Sequence, residues 1–528
     1  MAALSLTIDG MAHEAALAAC VTSVVVHQAL NAPAMACVTY ADPPSSLTSG
    51  LTIGKALEVR APGGDLLLSG EITAVETCLD PGNIRTLRIR AYDRLHRLRK
   101  AQTVRALADV GLGELLSQSA QEIGVSADVI GDAPPGRTLT IQGEESTSDL
   151  LLQAAAAAGR YVCLVGDQLR LMSLGGDGDT AIKLAAGENL LQARVEANAE
   201  TMRRATVARG WDTAQSDLIE NRAGLAAQDA IELRGDALSA FPGLGERLLV
   251  NRVSASREEA LALAQADMDR ATALAATLEA TTEGDPGLRP GRIVSISGIG
   301  GSADGDYVLT EAEHSFDMVA GYVTRISTIP PPQPRRAPGG NATIARVIST
   351  KDPDKLARVK ARLTAFGEVE SGWMPVLAIG AGRNKGLCVL PEVDDDVLVL
   401  LPDGDPARGI VLGGLYGALT PPGKRPSSGV RTFTMRTPNG QVLTLDGAQS
   451  IARLETGAGD VLEMSPRGTK LSVTRDLTIE APGKTISMRA LRRSNLRQHD
   501  AVANRRRTSG LRSRRQRRQS AIAEPCPD

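Results

Sequence analysis

The sequence predicts a mainly β chain with a few helices. Apolar and polar residues alternate over most of its length, 53 glycines and 28 prolines interrupt the alternation, and aromatics are only 2% of residues. A period of two marks half-buried strands, and Gly/Pro breaks mark the turns between them. With so few aromatics, the cores are expected from Ala, Leu, Val and Ile, which dominate the 42% hydrophobic share. A length of 528 residues is a soft prior of about three or four domains.

Residues 1–100 read mostly as strands, in LSLTIDG, ACVTSVVVHQAL, LEVRAPGGDLLLSGEITAVE and RTLRIRAYDRL. The spacing then predicts a helix over 112–123, with Leu115, Leu116, Ser119 and Ile123 near one face. A second helix is expected over 146–158, with Ser146 as N-cap and Asp149 at N3, a carboxylate form of the capping box. YVCLVGDQLRLMSL reads as a hairpin around Gly166 and Asp167. Strands return over 190–255. A helix is expected at about 257–281, where Leu261, Met268 and Ala275 share a face with Ala264 and Ala271. Glycine-joined strands follow to Phe316.

PPPQPRRAPGGNA, residues 330–342, reads as a stiff linker released at its glycines. Residues 343–418 hold about five alternating strands and little helix, a count that fits a small closed barrel of the OB type. Residues 431–490 differ again. NGQVLTLDG and AGDVLEMSP are similar units about 19 residues apart, and RDLTIEAPGKTISMRA continues the short strands. Such strands cannot bury an apolar face alone, so they must stack or associate with other chains.

The net charge of −2 hides an asymmetry. Residues 491–528 carry 11 Arg and three acids, which gives +8 and leaves −10 for the rest. An acidic body argues against general nucleic-acid binding. The tail has no apolar period. It is open to three readings: a disordered arm, an electrostatic contact with nucleic acid, membrane or acidic cargo, or translation out of frame. For the last, one codon choice for Leu491–Gln498, shifted by two nucleotides, spells Ala-Ala-Val-Glu-Leu-Glu-Ala.

Other chemistries lack their residues. The six cysteines (Cys20, Cys37, Cys78, Cys163, Cys388, Cys526) form no C-x-x-C pair and are expected as reduced, mostly buried thiols. The histidines His13, His27, His96, His314 and His499 show no metal spacing, and His314 is expected in a structural hydrogen bond. GIGG and GSADGD lack the G-K-[ST] of a phosphate loop. No carboxylate pair stands out for glycoside hydrolysis. No catalytic, cofactor-binding or metal-binding residue is expected. No apolar run approaches the ~18–20 residues of a membrane span, and the start has no evident signal peptide.

The order of modules over residues 1–490 resembles the hub-and-spike proteins of contractile injection machines: the VgrG proteins of type VI secretion and the phage late-control D and baseplate V proteins. SGEIT (69–73), IRAYDRLHRL (89–98), IQGEESTSDLLLQAAAAAGRYV (141–162), GDQLRL (166–171) and RGWDT (209–213) are similar to the hub pattern. The most specific stretch is PEVDDDVLVLLPDGDPARGIVLGGLYG, residues 391–417, which resembles the OB signature of spikes. Its expected residues are Trp373, Pro391, Glu392, Val393, Gly413 and Gly414. Val393, Val397 and Val399 are expected to line the barrel. Asp394–Asp396 are expected at a solvated rim of an outer strand. Gly413 and Gly414 are expected to permit close backbone approach where the barrel meets the needle. TPNGQVLTLDG (437–447) resembles the start of the family's β-helix.

The resemblance implies the following layout: a late-control-D-like hub (1–329) of two barrel-like units, the linker (330–342), an OB neck (343–418) and a C-terminal intertwined triple-stranded β-helix (431–490), with the tail (491–528) apart. It implies a homotrimer that adapts a sixfold tube to a threefold spike. Candidate needle-core residues are Val442, Leu443, Leu445, Val461, Leu462, Met464, Leu471, Val473, Leu477, Ile479 and Ile486. Implied partners are inner-tube and baseplate proteins, a conical PAAR-like tip protein, effector cargo and the target envelope. The implied setting is assembly in the bacterial cytoplasm into a phage-tail-like or extracellular particle. Two other readings compete. One is a spike that delivers an effector enzyme through its C-terminal extension. The other is a carbohydrate- or nucleic-acid-binding OB protein, which would need a basic aromatic face where the sequence offers Phe366, Trp373 and Tyr416 among many acids.

Overall fold

A computed structural model describes residues 4–13, 15–44, 48, 50–132, 137–212, 217–224, 245–252, 256–334, 340–383, 385–416 and 432–489. The basic tail, Cys526 and the middle of the linker lie outside the described residues. The chain divides into two compact units, 1–419 and 420–528.

The first unit is built on an eleven-stranded antiparallel sheet. Its spatial order is Leu190–Ala197, Ala276–Glu283, Gly321–Ser327, Glu311–Asp317, Val21–Ala29, Met35–Ala41, Ile84–Asp93, Leu66–Asp80, Ala56–Arg60, Ser5–Ile8 and Met11–Ala12. Val21–Ala29 pairs with Glu311–Asp317, so one sheet runs through both halves of the hub region. Each half has its own core on the same face of that sheet. Val24, Val38, Tyr40, Leu57 and Ile89 fill one, and Leu184, Leu278, Val294, Tyr307 and Ile326 fill the other. Alternation explains the placement, because side chains two apart on a strand share a face. The longest hairpin, Leu66–Asp80 with Ile84–Asp93, turns through Gly82 and Asn83, both at positive φ, which Gly and Asn tolerate best.

Two smaller bodies carry the longer helices. Leu112–Glu122 and Thr147–Ala157 pack their leucines on a three-stranded sheet that includes the Tyr161–Val165/Gln168–Met172 hairpin. The capping box is present: Ser146 Oγ accepts from Asp149 N–H at 3.1 Å, and the Asp149 carboxylate accepts from Ser146 N–H at 3.2 Å. The third helix is shorter than its sequence suggests. It spans Arg257–Ala275, and the next residues form the strand Ala276–Glu283. The buried face is Ala260, Ala264, Met268 and Ala271, whereas Leu261 is exposed. ATLEATTE is threonine-rich and alternates, and its β-branched residues favour the sheet.

Residues 341–414 form a five-stranded sheet in the order Val369–Glu370, Lys360–Leu363, Asn341–Ser349, Asp396–Leu401, Ile410–Gly414. Its core includes Val347, Leu363, Met374, Val397, Val399 and Val411, together with Ile141 from Arg137–Gln142. The hub region therefore donates a side chain to this core across the linker. Of the described cysteines only Cys163 is buried; Cys20, Cys37 and Cys78 are half-buried and Cys388 is exposed, and none of them is in a disulfide. This corrects the expectation of mostly buried thiols.

The second unit contains a five-stranded antiparallel meander: Thr432–Arg436, Val442–Asp446, Ile451–Glu455, Val461–Ser465 and Gly468–Ser472. Each strand pairs with the next through a short turn.

Candidate assembly surface

Register decides what each face of the meander carries, because residues directly opposite one another point to the same side. One row runs Phe433, Leu445, Ala452, Met464 across the strands. The neighbouring row runs Met435, Leu443, Leu454, Leu462, Leu471. Both rows share one face, and that face is apolar except for Thr469, opposite Met464 on the last strand. It is also uncovered in the single chain: Phe433 is 70% and Leu454 49% exposed. The opposite face carries Thr434, Thr444, Arg453, Glu463 and Lys470 in one row. There Arg453 pairs with Glu455 and Glu463, both at 3.1 Å.

The sheet is thus two-sided, with contiguous apolar side chains exposed on one face of the single chain. Of the expected needle-core residues, Leu443, Leu445, Leu462, Met464 and Leu471 lie on it. Val442 and Val461 lie on the other side, opposite Glu455. Val473, Leu477, Ile479 and Ile486 follow the last strand and are exposed. Sequence reasoning missed Phe433, Met435 and Leu454. The Thr-Phe-Thr-Met alternation of 432–435 was the available signal.

The acidic stretch of the OB region is a fastening. Asp396–Leu401 is an interior strand, flanked by Asn341–Ser349 and Ile410–Gly414, not an outer one. Asp394, at φ 73°, turns the chain into it. Asp394 N–H donates to Val347 C=O, and Val347 N–H donates to Asp395 C=O, both at 2.9 Å. The Asp395 carboxylate accepts from Glu392 N–H at 2.8 Å, and Asp396 accepts from Arg346 Nε at 3.0 Å. Three adjacent like charges are tolerated because each has a different partner or faces water. Val397 and Val399 are fully buried, but Val393 is 50% exposed: the turn at Asp394 takes it out of the barrel. Pro391 and Glu392 precede that turn. Half-buried Trp373 lies under Lys360 Nζ, 5.8 Å from the ring centroid.

Gly413 and Gly414 do not mark a close approach. A Cβ on Gly413 would meet nothing within 4 Å, and one on Gly414 only Asp396 O at 3.9 Å. Gly413 sits at a register shift at φ 156°, where backbone freedom is what matters. The tight glycine is Gly409, whose Cβ would stand 2.5 Å from Met374 Sδ.

Three titratable groups are held in hydrogen bonds within the fold. His314 is buried, with Nδ1 3.0 Å from Tyr322 Oη and 3.2 Å from Thr324 Oγ1. Burial pushes its pKa down to about 4, so the ring is neutral, in the hydrogen-bonded role expected for it. Asp93 is buried and accepts from Ala34 N–H (2.8 Å) and Leu95 N–H (2.9 Å). Burial raises its pKa to about 7 against those bonds. His27 lies 2.7 Å from Glu311, whose hydrogen bond raises its pKa. Among the described residues, no group of three or more His, Cys, Asp or Glu is placed to hold a metal. No helix among them is long and apolar enough to cross a membrane.

The Alg8 N-terminal domain profile matches residues 3–317, more than half of the chain. The chain belongs to this Alg8 N-terminal domain family. Beyond the Alg8-type region, residues 343–416 match the type VI secretion system/phage-baseplate injector OB domain. No curated protein sequence matches the chain. In fold this Alg8-family member is VgrG-like. It is similar to a chain of the half-lidded Francisella PdpA–VgrG complex, with a TM-score of 0.54 at 6% identity, covering 89% of this chain and 87% of that one. It is also similar to the E. coli c3393 protein, with a TM-score of 0.51 at 12% identity, covering 78% of this chain and 99% of that one. That protein is described as a component of the type VI secretion system with structural similarity to the T4 tail proteins gp27 and gp5. At these identities the likeness is one of fold.

Proposed function

We propose that the chain is the structural hub and spike of a contractile injection apparatus or phage-type tail, working as a homotrimer without enzymatic activity. One observation carries the reading: the uncovered apolar face of the meander, formed by the Phe433 and Met435 rows. Two further copies would bury it and leave the Arg453–Glu463 face to solvent. The VgrG-like fold and the injector OB domain support the assignment. On this reading residues 1–329 form the hub, 343–418 the neck and 431–490 the needle. The hub meets the inner tube and baseplate, the needle end carries a conical tip protein and effector cargo, and the assembly pierces a target envelope. It is put together inside the bacterial cell and carried in the particle.

Light scattering on the purified chain tests this. The expected mass is about three times 55.3 kDa. A monomer at every attainable concentration overturns the trimeric spike.

A further inference from the structure

The helix Arg257–Ala275 is gripped at several points along its length. Its 19 residues span about 28 Å at a rise of about 1.5 Å each. In its first turn Glu259 accepts from Arg408 of the OB region at 2.7 and 2.9 Å. Further on, Ala260, Ala264 and Met268 pack on Ala208, Ile219 and Leu249 of a three-stranded sheet. A Cβ on Gly159, just past the helix Thr147–Ala157, would stand 3.0 Å from Ala266 Cα, so the two elements meet with no room for a side chain. Near its end Arg270 donates to the carbonyls of Pro331 at 2.6 Å and Pro330 at 3.4 Å, the first residues of the linker. The chain then passes directly into Ala276–Glu283, the second strand of the eleven-stranded sheet.

A second coupling is a two-stranded ribbon, Arg105–Val110 with Arg137–Gln142. Leu139 and Ile141 share one face and pack in the OB core. Leu107, opposite Thr140, lies on the other face and packs against the core of the helical body. The alternation of a strand thus puts one ribbon into two cores. Two strands alone are marginal in water, so the ribbon depends on both neighbours. The contact continues on either side of it: a Cβ on Gly143 would meet the Phe366 ring at 3.0 Å, and one on Gly367 would meet Val104 at 3.1 Å.

Regions joined by a linker move relative to one another unless a large apolar interface holds them. Here the OB core itself is shared, with Ile141 only 3% exposed inside it. Swinging the OB region away would open that core to water and part the mostly buried Arg408–Glu259 pair.

We propose that the hub and OB regions form one body that opens and moves together, with the helix as its strut and the ribbon as its clamp, so that the linker straps the body and does not hinge it. A load on the OB region then passes through Arg408 and the helix into the main sheet. The inference concerns the single chain and stands apart from the proposed homotrimer.

Amide hydrogen exchange of the full chain in sub-denaturing urea, read by mass spectrometry, tests it with crossed perturbations. Ile141→Ala, made in the hub region, is expected to speed exchange of the OB strand Asp396–Leu401 at least tenfold. Arg408→Ala, made in the OB region, is expected to speed exchange of the helix Arg257–Ala275 to a similar degree. Ile141→Val removes a single methyl group, keeps the fold, and should give the first effect severalfold. An OB strand that keeps its wild-type rate in Ile141→Val, or a helix that keeps its rate in Arg408→Ala, overturns the single body and makes the linker a hinge.

Discussion

Arg408 donates from Nη2 to both carboxylate oxygens of Glu259, at 2.7 and 2.9 Å. One residue lies in the acidic turn of the OB region and the other in the first turn of the helix Arg257–Ala275. Both side chains are mostly buried, and Asp405 stands 3.4 Å behind Arg408. The turn residues of 402–409 thus join the OB region to the hub region. Removing one partner leaves the other charge buried, so Arg408→Ala is expected to lower stability by about 2–4 kcal/mol. A Glu259→Leu/Arg408→Met pair should recover most of that loss. A double-mutant cycle by urea denaturation of the full chain measures the coupling, and additive single losses would contradict it.

The two-sided meander separates the effects of neighbouring residues. Leu454→Asp places a charge in the middle of the apolar face, where assembly would have to desolvate it. The expected mass falls from trimer to monomer. Val442→Thr and Val461→Thr act on the polar face and are expected to leave the trimer intact. Light scattering on the three variants checks this, and dissociation by the valine variants would show that both faces are buried.

Much of this was legible in the sequence, and the failures have physical causes. Alternation identifies Val397 and Val399 as inward. It extends wrongly to Val393 because it cannot see the positive φ of Asp394. Val442 and Leu443 are both apolar and adjacent, so both look like core; only strand register puts them on opposite faces. The helix expected to reach residue 281 stops at Ala275, where the threonine-rich stretch favours the sheet; the alanine-rich sequence before it carries no sharp end signal, so the boundary was not legible. Ile141 in the OB core is a long-range contact that no local pattern encodes.

Asp93 and His314 make opposite contributions to pH dependence. Asp93 rises from 3.8 to about 7 on folding. Its stabilisation is complete below pH 3.8 and lost as pH rises through 7, on the order of 4 kcal/mol. His314 falls from 6.5 to about 4. Its contribution is complete above pH 6.5 and lost as pH falls through 4, on the order of 3 kcal/mol. The two slopes oppose each other between pH 4 and 6.5. Asp93→Asn should therefore gain stability with rising pH in that window, and His314→Gln should lose it. Urea midpoints at pH 4.5 and 6.5 give the signs, and equal slopes in both variants would refute the assignment.

Gly409 and Gly413 test whether steric room or backbone freedom governs the end of the OB strand. An added Cβ at Gly409 would stand 2.5 Å from Met374 Sδ and 2.7 Å from Val399 Cγ1, inside the core. Met374 and Val399 are both buried, so neither can yield without disturbing its neighbours. Gly409→Ala is expected to cost about 1–3 kcal/mol through overpacking. At Gly413 there is open space, and only the φ of 156° resists a side chain. Gly413→Ala should therefore cost about 1 kcal/mol. The Gly409 loss should shrink when Met374→Ala makes room, while the Gly413 loss should not change. Thermal denaturation of the two glycine variants, Met374→Ala and the two double variants decides it, and rescue of Gly413→Ala by the Met374 truncation would show that the two sites share one steric cause.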